Sequence, residues 1–127
     1  MKYPDLEQKG ISKKVCHAIR NLPRELFVPE PLKIRAYEDC PLGIDCGQTI
    51  SQPSLVAYMT DKLELKKTDR VLEIGTGSGF QTALLAQLTR KIYTIEVHAD
   101  LAKEANGLLN KLGLRNVSYL IGDGKNG

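Results

Sequence analysis

The chain has 127 residues, 42% of them hydrophobic and 26% charged, with 18 Lys and Arg against 15 Asp and Glu for a net charge of +3. These values describe one soluble globular domain and leave no room for two of typical size. The charges are interspersed, with Lys13-Lys14 and Lys66-Lys67 as the basic pairs, so neither nucleic acid nor an acidic membrane surface is implied as a partner. Cys16, Cys40 and Cys46 are odd in number and lack C-x-x-C spacing. They suggest no disulfide framework and no metal site, and predict small buried thiols in a reducing cytoplasm. No stretch approaches the ~20 apolar residues of a membrane span, and the N-terminus has no apolar core for a signal peptide.

In chain order, Ser12 caps a first helix whose apolar residues Val15, Ile19 and Leu22 recur at helical spacing, and Pro23 stops it. Pro29, Pro31, Pro41, Gly43 and Gly47 predict a long tethered loop reaching Pro53, with at most a short helix or strand inside it. Loops of that length are uncommon unless they have a job. Pro53 suits the first turn of a helix carrying Val56, Met59 and Leu63 on one face, and residues 66–69 read as a turn. Val71 to Ile74 then forms an apolar run ending at Gly75, as expected of a strand buried on both faces of a parallel sheet. Phe80 to Leu88 reads as a helix and Lys91 to Val97 as a second strand. Leu101, Ala105, Leu108 and Leu112 share a helical face that Gly113 ends, and Val117 to Ile121 gives a third strand. The β-α-β-α-β order predicts an α/β fold with a parallel sheet and crossover helices.

Ligands of such sheets lie beyond the C-terminal ends of the strands. Gly75-Thr76-Gly77-Ser78-Gly79 follows the first strand, offering bare backbone and the free N–H groups of a helix start. Phe80 stands where a dinucleotide fingerprint needs glycine, and no Walker pattern is present, so a pyrophosphate is not favoured. Glu96 ends the second strand, placed to accept hydrogen bonds from both hydroxyls of a ribose, and Asp123-Gly124 follows the third, where a carboxylate can accept from an exocyclic amine. Each feature alone fits an ordinary turn. Their order across three strand ends points to a nucleoside-type ligand. Ser51 or Gln52, read alone, is a cap for the helix that starts near Pro53.

The pattern Glu-x-Gly-x-Gly-x-Gly from Glu73 to Gly79, followed by Glu96 and Asp123-Gly124, resembles the class I methyltransferases that use S-adenosylmethionine. Their fold is a Rossmann-like doubly wound parallel sheet, of which this sequence holds the first three strands behind an N-terminal helical and loop extension. Gly47 to Pro53 (Gly-Gln-Thr-Ile-Ser-Gln-Pro), with Phe27-Val28-Pro29, Ala36-Tyr37-Glu38-Asp39 and Pro41-Leu42 before it, narrows the resemblance to the protein-L-isoaspartate O-methyltransferases. Gly43 and Asp45 depart from the commonest form of that pattern, which has proline and glycine there. The resemblance implies methyl transfer from S-adenosylmethionine, with S-adenosylhomocysteine as product, to the α-carboxylate of L-isoaspartyl residues in damaged proteins. It makes Ser51 the active-site serine. It assigns Gln48, Thr49, Ile50, Ser51, Glu73, Gly75, Gly77, Gly79, Glu96, Asp123 and Gly124 to the cofactor. A carboxylate at Glu73, beside the first loop, suits the positive amino group and sulfonium of that ligand. His17 and His98, on expected helices, are surface or packing residues, so no Ser-His-Asp arrangement activates Ser51.

Residues 1–52 are thus expected to form the extension carrying the serine segment, and 53–127 the first half of the cofactor domain. Two alternatives stay open. One is a methyltransferase of the same fold acting on RNA, DNA or a small molecule. The other is an inactive, incomplete chain, because a doubly wound sheet at ~30 residues per β-α unit needs roughly 180 residues. The strand at 71–74 would then present a bare apolar edge open to self-association.

Overall fold

The computed structural model describes residues 2–124. Met1 and residues 125–127, the ends of the two expected segments, lie outside the described residues. Helix α1 (Lys13–Arg20) starts where Ser12 Oγ accepts the Val15 N–H at 3.4 Å, and it buries Val15, Cys16, Ala18 and Ile19. Next come 3-10 turns at Arg24–Phe27 and Glu30–Arg35. Strands β1 (Leu42–Gly43) and β2 (Thr49–Ile50) then pair antiparallel around a third turn at Asp45–Gly47. The expected loop is therefore folded. Phe27, Val28, Ala36, Leu42 and Ile50 are buried in the same apolar core as α1 and the later helices. Of the three expected buried thiols only Cys16 is buried; Cys40 is half-buried and Cys46 exposed, since Cys46 sits at φ 61° in the turn that joins β1 to β2.

Helix α2 (Pro53–Lys62) carries proline in its first turn and buries Pro53, Ser54, Val56, Ala57 and Thr60. Of the face expected at Val56, Met59 and Leu63, only Val56 is buried; Met59 and Leu63 are exposed. Strand β3 (Arg70–Ile74), α3 (Phe80–Leu88), β4 (Lys91–Glu96), α4 (Ala99–Lys111) and β5 (Val117–Ile121) follow as the sequence predicts. Gly113, at φ 80°, ends α4.

The sheet order is β3-β4-β5 with both pairs parallel, so β3 is an edge among the described strands. Register aligns Val71, Ile92 and Val117 on one face, and Glu73, Thr94 and Tyr119 on the same face one step further along. Side chains of α3 and α4 pack there. The opposite face carries Leu72, Ile74 and Leu120, which are 55%, 63% and 50% exposed. Burial of 71–74 on both faces, expected from the apolar run, is thus not what the described residues form: no helix among them covers the second face. No described helix is long and apolar enough to cross a membrane.

Candidate active site

The parallel register brings the ends of β3 and β4 together, and the glycine loop is anchored there by Gly75 N–H donating to Ile95 O at 2.7 Å. Gly75, Gly77 and Gly79 have φ of 94°, 54° and 89°, values that side chains rarely tolerate. They face different surroundings. A Cβ on Gly75 or Gly77 would meet nothing within 4 Å, whereas one on Gly79 would lie 2.9 Å from Ala105 Cβ. The first two present backbone to open space, and the third lets α3 pack against α4.

Glu96, the last residue of β4, is only 5% exposed. Its Oε1 accepts the Gly77 N–H at 2.8 Å and its Oε2 accepts the His98 N–H at 3.0 Å. The carboxylate therefore holds the loop from beneath. Each oxygen retains acceptor capacity for a further donor. His98 precedes α4 as its N-cap residue rather than lying inside the helix, and His17 is exposed on α1.

Glu73 points to the helix-covered side of β3. Its Oε1 accepts from Thr82 Oγ1 on α3 and, at 2.7 Å, from Thr94 Oγ1 on β4, while Thr76 and Thr94 hydroxyls bond each other at 2.6 Å. Burial pushes the Glu73 carboxyl above its ordinary range; the two hydroxyls oppose this and the Glu96 charge adds to it. Asp123 is exposed after β5, and at Gly124 (φ 82°) an added Cβ would sit 3.1 Å from Ile74 Cγ2, so the chain passes close over the end of β3.

The serine segment reaches this site from the other side. Ser51 is exposed between β2 and α2, and its carbonyl accepts Arg24 Nη2 at 3.0 Å. The start of α2 is satisfied from a distance: Asp39 Oδ1 accepts the Ser54 N–H at 2.8 Å and Oδ2 accepts Gln52 Nε2 at 3.2 Å. Neither Ser51 nor Gln52 caps the helix with its own side chain, contrary to the local reading. Burial raises the Asp39 carboxyl, but the Ser54 and Gln52 hydrogen bonds outweigh it and hold the group below the usual range.

A cavity of about 380 Å³ lies where these parts meet. Of the residues the sequence assigns to a ligand, Thr49, Ile50, Ser51, Glu73, Gly75 and Gly77 line it; Gln48, Gly79, Glu96, Asp123 and Gly124 do not. Met59, Leu63, Leu72 and Phe80 supply apolar walls, and the volume falls in the range of small-molecule sites. Among the described residues no group of three or more His, Cys, Asp or Glu side chains is placed to hold a metal ion. Sequence reasoning missed Arg24, Asp39, Thr82 and Thr94. All four act through partners elsewhere in the chain: Asp39 belongs to the Ala36-Tyr37-Glu38-Asp39 segment but nothing local announces its bond to Ser54, and Arg24, Thr82 and Thr94 stand in no motif.

Residues 3–127 match the family described as protein-L-isoaspartate(D-aspartate) O-methyltransferase (PCMT). The chain belongs to this family. A protein-L-isoaspartate O-methyltransferase from Petrotoga mobilis is 50% identical over 123 residues, covering 96% of this chain and 58% of that protein. The chain thus spans less than two thirds of the length of such curated relatives. Among solved structures, a protein-L-isoaspartate O-methyltransferase aligns with TM-score 0.82 at 32% identity, over 94% of this chain and 40% of the other. A Plasmodium falciparum structure in complex with S-adenosyl-L-homocysteine shares the fold, with TM-score 0.74 at 23% identity over 91% of this chain and 59% of the other.

Proposed function

We propose that this chain carries the cofactor-binding half and the serine segment of an enzyme that transfers a methyl group from S-adenosylmethionine to the α-carboxylate of L-isoaspartyl residues in damaged proteins. Residues 1–52 bring the serine segment and 53–127 the first half of the cofactor domain. The observation that carries this reading is the shared cavity: Thr49, Ile50 and Ser51 line one side, and Gly75 and Gly77 line the other.

The residues fit the cofactor. Gly75 and Gly77 present bare backbone to open space at the cavity, and Glu96, behind Gly77 and outside the cavity lining, has acceptor capacity for ribose hydroxyls. Glu73 sets negative charge against the cavity wall that would face a positive ligand. When bound, S-adenosylmethionine supplies an electrophilic methyl group on a positively charged sulfur.

A substrate carboxylate, with a reference pKa near 4, is already ionised at neutral pH, so no general base is needed. The work left to the protein is orientation. Holding one carboxylate oxygen in line at ~3 Å from its target supplies on the order of 7 kcal/mol or more. Ser51, exposed at the cavity, donates a hydrogen bond that fixes that carboxylate and takes no covalent part.

Methyl transfer to an isoaspartyl peptide tests the reading. The wild-type chain methylates the peptide, and Ser51→Ala slows transfer by about 10- to 100-fold while S-adenosylhomocysteine affinity stays unchanged. Equal rates in the two proteins remove Ser51 from the mechanism. Methylation of bulk RNA in place of the peptide overturns the substrate class.

A further inference from the structure

Arg24 follows Pro23 in a proline-rich connection, where a solvated charge is expected, yet it is 0% exposed. Its guanidinium carbon lies 4.8 Å from the centroid of Phe80, the first residue of α3 after Gly79, and Phe27 meets the same ring edge-on at 5.4 Å. Its Nη2 donates to the Ser51 carbonyl at 3.0 Å. Its backbone N–H donates to the Tyr37 hydroxyl at 3.1 Å, and Tyr37 in turn donates to Glu25. Nε and Nη1 are buried and meet no acceptor among the described residues.

This is a costly way to fill space. A buried guanidinium with two unpartnered nitrogens is worse for stability than an apolar side chain of the same length. What the arginine provides that an apolar residue cannot is one bond to Ser51, made while its plane rests on the helix that the glycine loop opens. The flanks of the serine segment are held by burial of Ile50 and by Asp39 bonding Gln52 and Ser54, but Ser51 itself is exposed and its carbonyl is held by Arg24.

We infer that Arg24 is a positioning residue for Ser51, holding the serine segment in register with the glycine loop by joining the Ser51 carbonyl to Phe80. The inference rests on the role proposed above for Ser51, and it separates fold stability from catalytic geometry. A residue serving packing alone loses stability and activity together. Arg24 trades one for the other.

Arg24→Met keeps the contact with Phe80 and removes the unpaired donors. Its melting temperature is therefore equal to or above that of the wild type, and its S-adenosylhomocysteine affinity is unchanged. Its kcat on an isoaspartyl peptide falls by about 10- to 100-fold, because the serine is no longer held in place. Amide hydrogen exchange across residues 49–52 accelerates. Arg24→Lys keeps the charge but loses the guanidinium over Phe80 and its Nη2 donor to Ser51, and shows the same faster exchange. Unchanged exchange and rate in Arg24→Met overturn the inference, as does a parallel loss of folding and cofactor affinity in both variants. Wild-type protein that methylates no isoaspartyl peptide defeats the functional reading instead, and exchange at residues 49–52 still decides for or against Arg24.

Discussion

The three glycines that look equivalent in sequence do different things once each is placed. Gly75 and Gly77 face open space at the cavity, while Gly79 faces Ala105 and Leu109 of α4. Gly79→Ala combines a φ of 89° with a 2.9 Å contact, and is expected to cost about 1–3 kcal/mol in denaturant unfolding. A neutral substitution would contradict the packing role. Glu73 makes a pH-dependent prediction. Its carboxyl is raised by burial, against the Thr82 and Thr94 hydroxyls, so the protonated native form carries no penalty below the ordinary carboxylate range. The penalty appears as pH rises through the raised value. Glu73→Gln, which keeps an acceptor oxygen, should melt higher than wild type at pH 8, with the difference closing as the pH is lowered to 4. A pH-independent difference would contradict this. None of this is legible in the motif, which gives the residue types but not what stands behind each one.

At the scale of elements, the β-α-β-α-β half is readable because its periodicities are strong and its boundaries fall at Gly75, Gly113 and Pro53, whose backbone preferences are local. In the N-terminal half α1 is readable from its Ser12 cap and apolar spacing, but β1 and β2 are not, because they have two residues each and are held by burial of Leu42 and Ile50 rather than by propensity. The start of α2 illustrates the limit. Local rules search the adjoining residues for a cap, but here Asp39 reaches across from another turn to the Ser54 N–H. Asp39→Ala should cost about 0.5–2 kcal/mol of stability at neutral pH, the range of a lost cap. The difference should shrink as the pH falls through the depressed Asp39 value, since protonation removes the same charge from the wild type. Equal unfolding curves at neutral pH would show that α2 is satisfied in another way.

Across the whole molecule, one core runs from Tyr3 and Leu6 through α1 and the turns to Phe80 and Leu109, so the serine segment and the glycine loop share a single packed support. On that shared support Thr49, Ile50 and Ser51 line one cavity with Gly75 and Gly77. The second sheet face is a different matter. An apolar run specifies a strand but not what covers it, which is why Leu72 and Ile74 read as buried and stand exposed. The central claim is that the first half of a methyltransferase site is assembled here, and titration calorimetry with S-adenosylhomocysteine tests it most directly. The wild-type chain should bind with a dissociation constant around micromolar, about 8 kcal/mol of binding free energy, and Glu96→Ala should weaken it by at least about tenfold. Absence of binding by the folded wild-type chain, or equal affinity in the variant, would contradict the claim.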